Sequence, residues 1–227
     1  LYVISLTKIL LVLYENSLLM RKMDKKMSDF IRLEITLDII KKTKTILDKK
    51  DIDSEDIAFF RNGIRKNIFF LKEEFLDSYS DTICKYMIFP LLACVDEKMM
   101  LIQESNSTNI SWSLLQLEYY DRRDGGEYVF EIMDNLLSDT IYPDVCYKIL
   151  YLILDNGFLG KYYDNIYNHD FLSYKKKMNK IINNLAVNDI EIIDTSKEVK
   201  ALRKPNHYKR DFIKLSIPVI LFTISII

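Results

Sequence analysis

A chain of 227 residues with only five glycines and four prolines has few places where its backbone can reverse tightly. Antiparallel all-β folds need turn signals roughly every eight to twelve residues, so this scarcity argues against a many-turned β fold and for long helices. The apolar spacing agrees. Phe30, Leu33, Leu37, Ile40 and Leu47 recur at intervals of three or four within most of their run, and so do Ile57, Phe60, Ile64, Ile68, Leu71 and Phe75. Lys41, Lys42 and Lys44 lie off the first stripe, on what reads as a solvated face. Between the two stripes Asp48 to Asp53 form a charged turn, and Ser54 is the expected N-cap of the second helix. A third stripe through Ile83, Met87, Leu91, Cys94 and Val95 contains Pro90, where a kink or break is expected.

The second half of the chain is divided more finely. A polar loop, Glu104 to Ser111, leads to a short helix expected over Ser113 to Tyr120, and the double glycine Gly125-Gly126 separates this from another over Glu127 to Leu137. Pro143 suits the first position of a helix that runs to Asn156 and stops at Gly157. Asp170 is the expected cap of a last amphipathic helix through Tyr174, Met178, Ile181 and Leu185. The fold class that follows is all-α: two small helical bundles sharing a core over residues 28–185, followed by a C-terminal transmembrane segment. Residues 1–27 read as a leader or an extra helix. They are apolar to Leu19, but Lys8 and Glu15 interrupt them, and they carry neither a basic start nor a small-residue cleavage site. Residues 186–211 read as a basic juxtamembrane linker holding Lys197, Lys200, Arg203, Lys204, Lys209 and Arg210. Residues 212–227 read as the start of a transmembrane helix: Leu215 to Ile227 is uncharged, but 13 helical residues rise only about 20 Å against a hydrocarbon core of about 30 Å. The expectation is a truncated spanning helix, with the basic cluster holding the preceding domain in the cytoplasm by the positive-inside rule.

Several function classes are excluded or weakened at this level. Thirty-two Lys and Arg against 33 Asp and Glu leave a net charge of -1, so no global basic field draws in nucleic acid. Cys84, Cys94 and Cys146 are odd in number and lack C-x-x-C spacing, which suits buried free thiols in a reducing compartment. His169 and His207 are the only histidines, and neither follows a glutamate by three residues, so a helical di-metal site is not expected. No phosphate loop, dinucleotide fingerprint or nucleophile elbow is present, and no cofactor is expected. The Asn106 and Asn109 glycosylation triplets are chance matches in a Ser/Asn-rich loop. Asp96 and Glu97, which close a strongly apolar run, are the unusual pair. As catalysts they would need a partner carboxylate such as Glu118, Glu127 or Glu131 converging on the same cleft. As structural groups they would accept backbone or hydroxyl hydrogen bonds and fix the loop before Trp112.

An apolar run ending in Asp96-Glu97, a lone Trp112 about fifteen residues on, and Gly125-Gly126-Glu127 before an aromatic helix together resemble the DotU/TssL family of type VI secretion systems, which has relatives in type IVB systems. Leu152 to Tyr162 is similar to that family's Leu-Gly-Phe-x-Gly-x-Tyr element through Gly157, Phe158, Gly160 and Tyr162. The resemblance covers about Phe30 to Leu185. Two departures stand out: Asn156 precedes Gly157 where a small or apolar residue is usual, and Arg122-Arg123-Asp124 replaces an aromatic-flanked approach to the glycines. The resemblance implies a non-enzymatic structural component anchored in the bacterial inner membrane by a single C-terminal pass. It implies an IcmF/TssM-type membrane partner, cytoplasmic baseplate and tail components, and a possible homodimer through the membrane segment. The expected recognition cleft holds Asp96, Glu97, Trp112, Gly125, Gly126, Glu127, Gly157, Phe158, Gly160 and Tyr162. The rival readings are a membrane-attached enzyme using the Asp96/Glu97 region and a tail-anchored adaptor of an unrelated pathway.

Overall fold

In the computed structural model of the chain, the backbone is described for residues 2–202 except 77, 106–110 and 140, and side chains within 24–186, residue 26 also excepted. Among the described residues every regular element is a helix. They are α1 (Tyr2–Leu47), α2 (Ser54–Leu76), α3 (Asp81–Ser105), α4 (Leu115–Tyr120), α5 (Gly125–Ser138), α6 (Asp144–Asp155), one 3-10 turn (Gly160–Tyr162) and α7 (His169–Leu202). The described residues up to Ile182 make one compact unit, and those from Asn183 fall outside it. Within that unit, α1, α2, α4, α5 and α6 all pack on α3. The two groups of helices expected from the sequence therefore meet on one shared helix.

The central place of α3 follows from its composition. From Met87 to Val95 every residue is buried, so it is apolar all round, as a helix enclosed by others must be. Pro90 lies in this run, and α3 continues through it, so of the expected kink or break the break does not occur. The helix starts also differ by a residue or so from expectation. Asp53, and not Ser54, caps α2: its carboxylate accepts the Asp56 N–H at 2.8 Å, while the Asp56 carboxylate accepts the Asp53 N–H at 3.2 Å. Asn168 caps α7 by accepting the Asp170 N–H at 2.8 Å, so Asp170 is inside the helix.

The buried face of α1 is not the expected stripe. Phe30 is 63% and Leu37 48% exposed, whereas Arg32, Thr36, Ile39, Thr43 and Ile46 are buried against the bundle. Polar residues can occupy these positions because each satisfies itself. The Thr36 and Thr43 hydroxyls donate to the carbonyls of Arg32 and Ile39 four residues back, at 2.9 and 2.8 Å. The Arg32 guanidinium donates to the Glu74 carbonyl, the Ser78 hydroxyl and the Asp29 carboxylate, and it lies over the Phe75 and Tyr79 rings.

Among the described residues α1 reaches back to Tyr2, so the first stretch is helical, and α7 runs on to Leu202, into the stretch read as a linker. Neither Gly nor Pro occurs before Gly63 or between Gly160 and Pro205, so nothing in the backbone chemistry stops α1 short of Tyr2. Nor does anything stop α7 in the first part of the stretch read as a linker. Among the described residues no helix is long and apolar enough to cross a membrane; the segment 212–227 and most of the basic cluster lie outside them.

Candidate functional site

Adjacent residues on a helix point about 100° apart, and α3 uses this to aim two carboxylates at two different elements. Asp96 is fully buried. Its Oδ1 accepts the indole N–H of Trp112 and the backbone N–H of Leu115, both at 2.8 Å, and its Oδ2 accepts the Gln116 N–H at 2.9 Å. α4 opens at Leu114 with no capping side chain of its own, so Asp96 reaches across from α3 to satisfy the first two free N–H groups of α4. Burial pushes the Asp96 carboxyl above its ordinary value, and the three N–H donors pull the other way.

Glu97 turns to the other side. Its carboxylate accepts the Leu159 N–H at 3.2 Å and the Gly160 N–H at 2.6 Å, which opens the 3-10 turn. Lys98 completes this corner: its ammonium meets Glu97 Oε1 at 3.1 Å and donates to the Gly157 carbonyl. Gly157 ends α6 with φ +80, as its position past Asn156 requires. The acid pair thus ties two remote loops to one helix.

Trp112 is closed in from α2. Phe60 packs at 6.0 Å between ring centroids, and the Arg61 guanidinium lies 4.7 Å from the indole centroid. Arg61 also donates to the Ser113 carbonyl, and Arg61 and Arg65 both bind the Glu118 carboxylate. These guanidiniums, Arg65 first, hold the Glu118 carboxyl below its usual range.

The double glycine does not supply a positive φ; the glycines in that region of backbone space are Gly157 and Gly160. Gly125 and Gly126 are the first residues of α5, and they are needed for close approach. A Cβ on Gly125 would overlap the Gln116 side-chain oxygen and come within 2.9 Å of Ala93 Cβ. A Cβ on Gly126 would meet the Gly160 backbone at 3.2 Å, and one on Gly160, at φ +50, would sit 2.5 Å from the Gly126 carbonyl oxygen. Two glycine backbones touch, and this contact seats the 3-10 turn on α5.

Beside this contact lies an open recess of about 280 Å³, walled by Ala93, Glu97, Met100, Leu101, Glu104, Gln116, Arg123, Gly126, Phe158, Gly160 and Tyr163. Of the ten expected cleft residues, Glu97, Gly126, Phe158 and Gly160 line it. Asp96, Trp112 and Gly125 are buried and do not line it, Glu127 is exposed on α5, and Gly157 lines a different recess with Ile39, Leu91 and Lys98. Tyr162 belongs instead to an aromatic cluster with Phe130, Phe171 and Tyr174. Gln116, Lys98 and Arg61 carry no mark in the sequence that singles them out, because their partners Asp96, Gly157 and Glu118 lie far away in the chain. Arg123, part of the Arg122-Arg123-Asp124 departure seen in the sequence, stands on the wall of the recess. Among the described residues no three His, Cys, Asp or Glu side chains are grouped to hold a metal ion. The three thiols are all buried, and burial pushes Cys94 and Cys146 up to about 12.

Residues 38–227 match the family model of the type VI secretion system protein DotU. The chain belongs to that family. Among solved structures it is similar to DotU from Francisella novicida, with 64% identity over 67% of this chain and 98% of that one and a TM-score of 0.65. It also matches SciP/TssL from enteroaggregative Escherichia coli 042, at 15% identity over 57% of this chain and 75% of that one, with a TM-score of 0.47. A comparison with the curated proteins gives no match. Membership of the DotU family supports a structural role in type VI secretion.

Proposed function

We propose that the chain is a structural, non-catalytic part of a type VI-like secretion apparatus. In this reading it is anchored in the inner membrane by residues 212–227 with the helical unit in the cytoplasm. It joins an IcmF/TssM-type membrane partner to the baseplate and tail through the recess on the Gly126–Gly160 contact. The observation that carries the reading is the use made of the acid pair. Asp96 takes three N–H donors and Glu97 takes two backbone N–H groups and Lys98. A carboxylate so occupied is a brace: its oxygens accept from the loops that they hold in place. The recess that these braces shape has an apolar floor from Ala93, Leu101 and Phe158 and a charged rim from Glu104 and Arg123. That pattern of apolar centre and polar rim suits recognition of another protein surface.

The test is affinity isolation from native membranes with rim variants. Met100 and Arg123 are exposed, so Met100→Glu and Arg123→Glu should leave the fold and melting temperature unchanged. They should also deplete the co-isolated membrane and baseplate components and abolish secretion together. Normal assembly with lost secretion would overturn the proposal in favour of catalysis. Separately, a chain ending at Asp211 should move to the soluble fraction with its helical signal intact; retention on membranes after a salt wash would place the anchor elsewhere.

A further inference from the structure

The start of α7 carries a charge asymmetry that the recess does not use. From Phe171 to Asn188 the chain has four lysines, Lys175, Lys176, Lys177 and Lys180, and no carboxylate, in a protein whose net charge is -1. Phe171 and Met178 bury the inner side of the helix. On the outer side Leu172, Lys176 and Lys180 follow at intervals of four, share one face, and are all exposed. Lys177 and Lys161 line a shallow recess of about 220 Å³ with Tyr162, Asp170, Ser173 and Tyr174. Asp170 precedes these lysines, Asp189 follows them, and Asp134 of α5 accepts the Tyr174 hydroxyl at 2.6 Å.

The segment leading into this helix presents apolar groups to solvent. Tyr167 is 80% exposed, Tyr163 50%, Leu172 48% and Ile166 44%. Their apolar bodies are left unburied in the stretch that leads directly into the four lysines. Aromatic and aliphatic groups that can enter an interface, set beside lysines whose stems are apolar and whose heads are cationic, complement the headgroup region of a bilayer. No interleaved array of bases could stack here, because the exposed tyrosines lie in the turn and not along the lysine face.

We propose that the outer face of α7 at Leu172, Lys176 and Lys180, headed by the Tyr163–Tyr167 turn, rests on an anionic membrane surface. The contact orients the helical unit against the bilayer, so the proposal rests on the membrane attachment inferred above and adds a second, peripheral contact to it. Charge complementarity selects anionic headgroups, and the exposed tyrosines set the depth of contact.

The test uses the full chain carrying Tyr167→Cys and an environment-sensitive dye; the buried Cys84, Cys94 and Cys146 stay unlabelled in the folded protein. Vesicles of phosphatidylcholine alone are compared with vesicles containing phosphatidylglycerol, each with a headgroup nitroxide quencher. Quenching confined to the anionic vesicles is expected. Lys176→Gln with Lys180→Gln should lower the ratio of quenched to unquenched protein about 30-fold, two lysines at about 1 kcal/mol each near such a surface. Equal quenching in both vesicles, no quenching, or quenching unaffected by the Gln pair would overturn the proposal. So would capture of a random oligonucleotide by the same lysines without quenching. Retention of the chain after an alkaline wash reports the C-terminal anchor independently, so failure of the anchor and failure of this face are read separately.

Discussion

The indole N–H of Trp112 and the carboxylate of Asp96 meet at 2.8 Å in a site where Asp96 has no exposure at all. A buried carboxylate without donors is costly, and here three donors come from one loop and the helix it opens. The two partners stand sixteen positions apart in the chain, and the bond ties Trp112 to α3. The loop after α4 carries Arg123 to the rim of the recess. The position of the candidate recognition surface is therefore set by a hydrogen-bond network in the core.

Two glycine substitutions should act with opposite sign. Gly160→Ala would put a Cβ 2.5 Å from the Gly126 carbonyl oxygen at φ +50, and should destabilise by about 2 kcal/mol. Gly63 lies within α2, and a methyl group added there would meet nothing within 4 Å, so Gly63→Ala should stabilise by about 0.5–1 kcal/mol. Denaturant unfolding of both variants checks this, and loss of stability in the Gly63 variant would contradict it.

Arg32 should be among the costlier positions on α1 despite its charge. Arg32→Met keeps the stem but strips donors from the Glu74 carbonyl, Ser78 and Asp29. A loss of about 2–4 kcal/mol is expected, the scale for breaking a buried charged network. Phe30→Ser, at an exposed position two residues away, should change the unfolding midpoint little. The sequence stripe would predict the reverse order.

Glu118 gives a pH dependence of known sign. Its carboxyl is held below the ordinary value of 4.5 by Arg65 and Arg61, so folding favours its ionised form. That stabilisation is complete above the unfolded value and disappears as pH falls through the lowered folded value. Glu118→Gln should therefore reduce the melting temperature near neutral pH, and the gap from the wild type should close on acidification below about 4.5. A gap that widens in acid would reverse the assignment.

How far the sequence can be read depends on where each residue's partner lies. α2 buries the stripe that its spacing predicts, and α3 buries all of its own except the half-buried Ile83, because apolar side chains need no particular partner. α1 does not, because Arg32, Thr36 and Thr43 become suitable for burial only through hydrogen bonds to backbone or to α2, which hydropathy cannot register. Gly125-Gly126 is visible as a constraint, but its cause is the approach of Gly160, Gln116 and Ala93, and one-dimensional patterns assign a glycine pair to a turn first. Asp96 and Glu97 are recognisable as carboxylates in need of donors. That the donors of Glu97 sit more than sixty residues away, at Leu159 and Gly160, can come only from the folded chain.

Bracing by the acid pair is the central claim, and one paired measurement tests it: stability and partner capture in Asp96→Asn and Glu97→Gln, made separately. Each change keeps shape while placing an amide N–H₂ where N–H donors already point. The expected result is a loss of about 1–3 kcal/mol in stability for a disturbed buried charged hydrogen bond, with co-isolation of secretion partners weakening together with it. Unchanged stability and full partner capture, with secretion abolished, would show that the carboxylates act on a substrate and would contradict the brace.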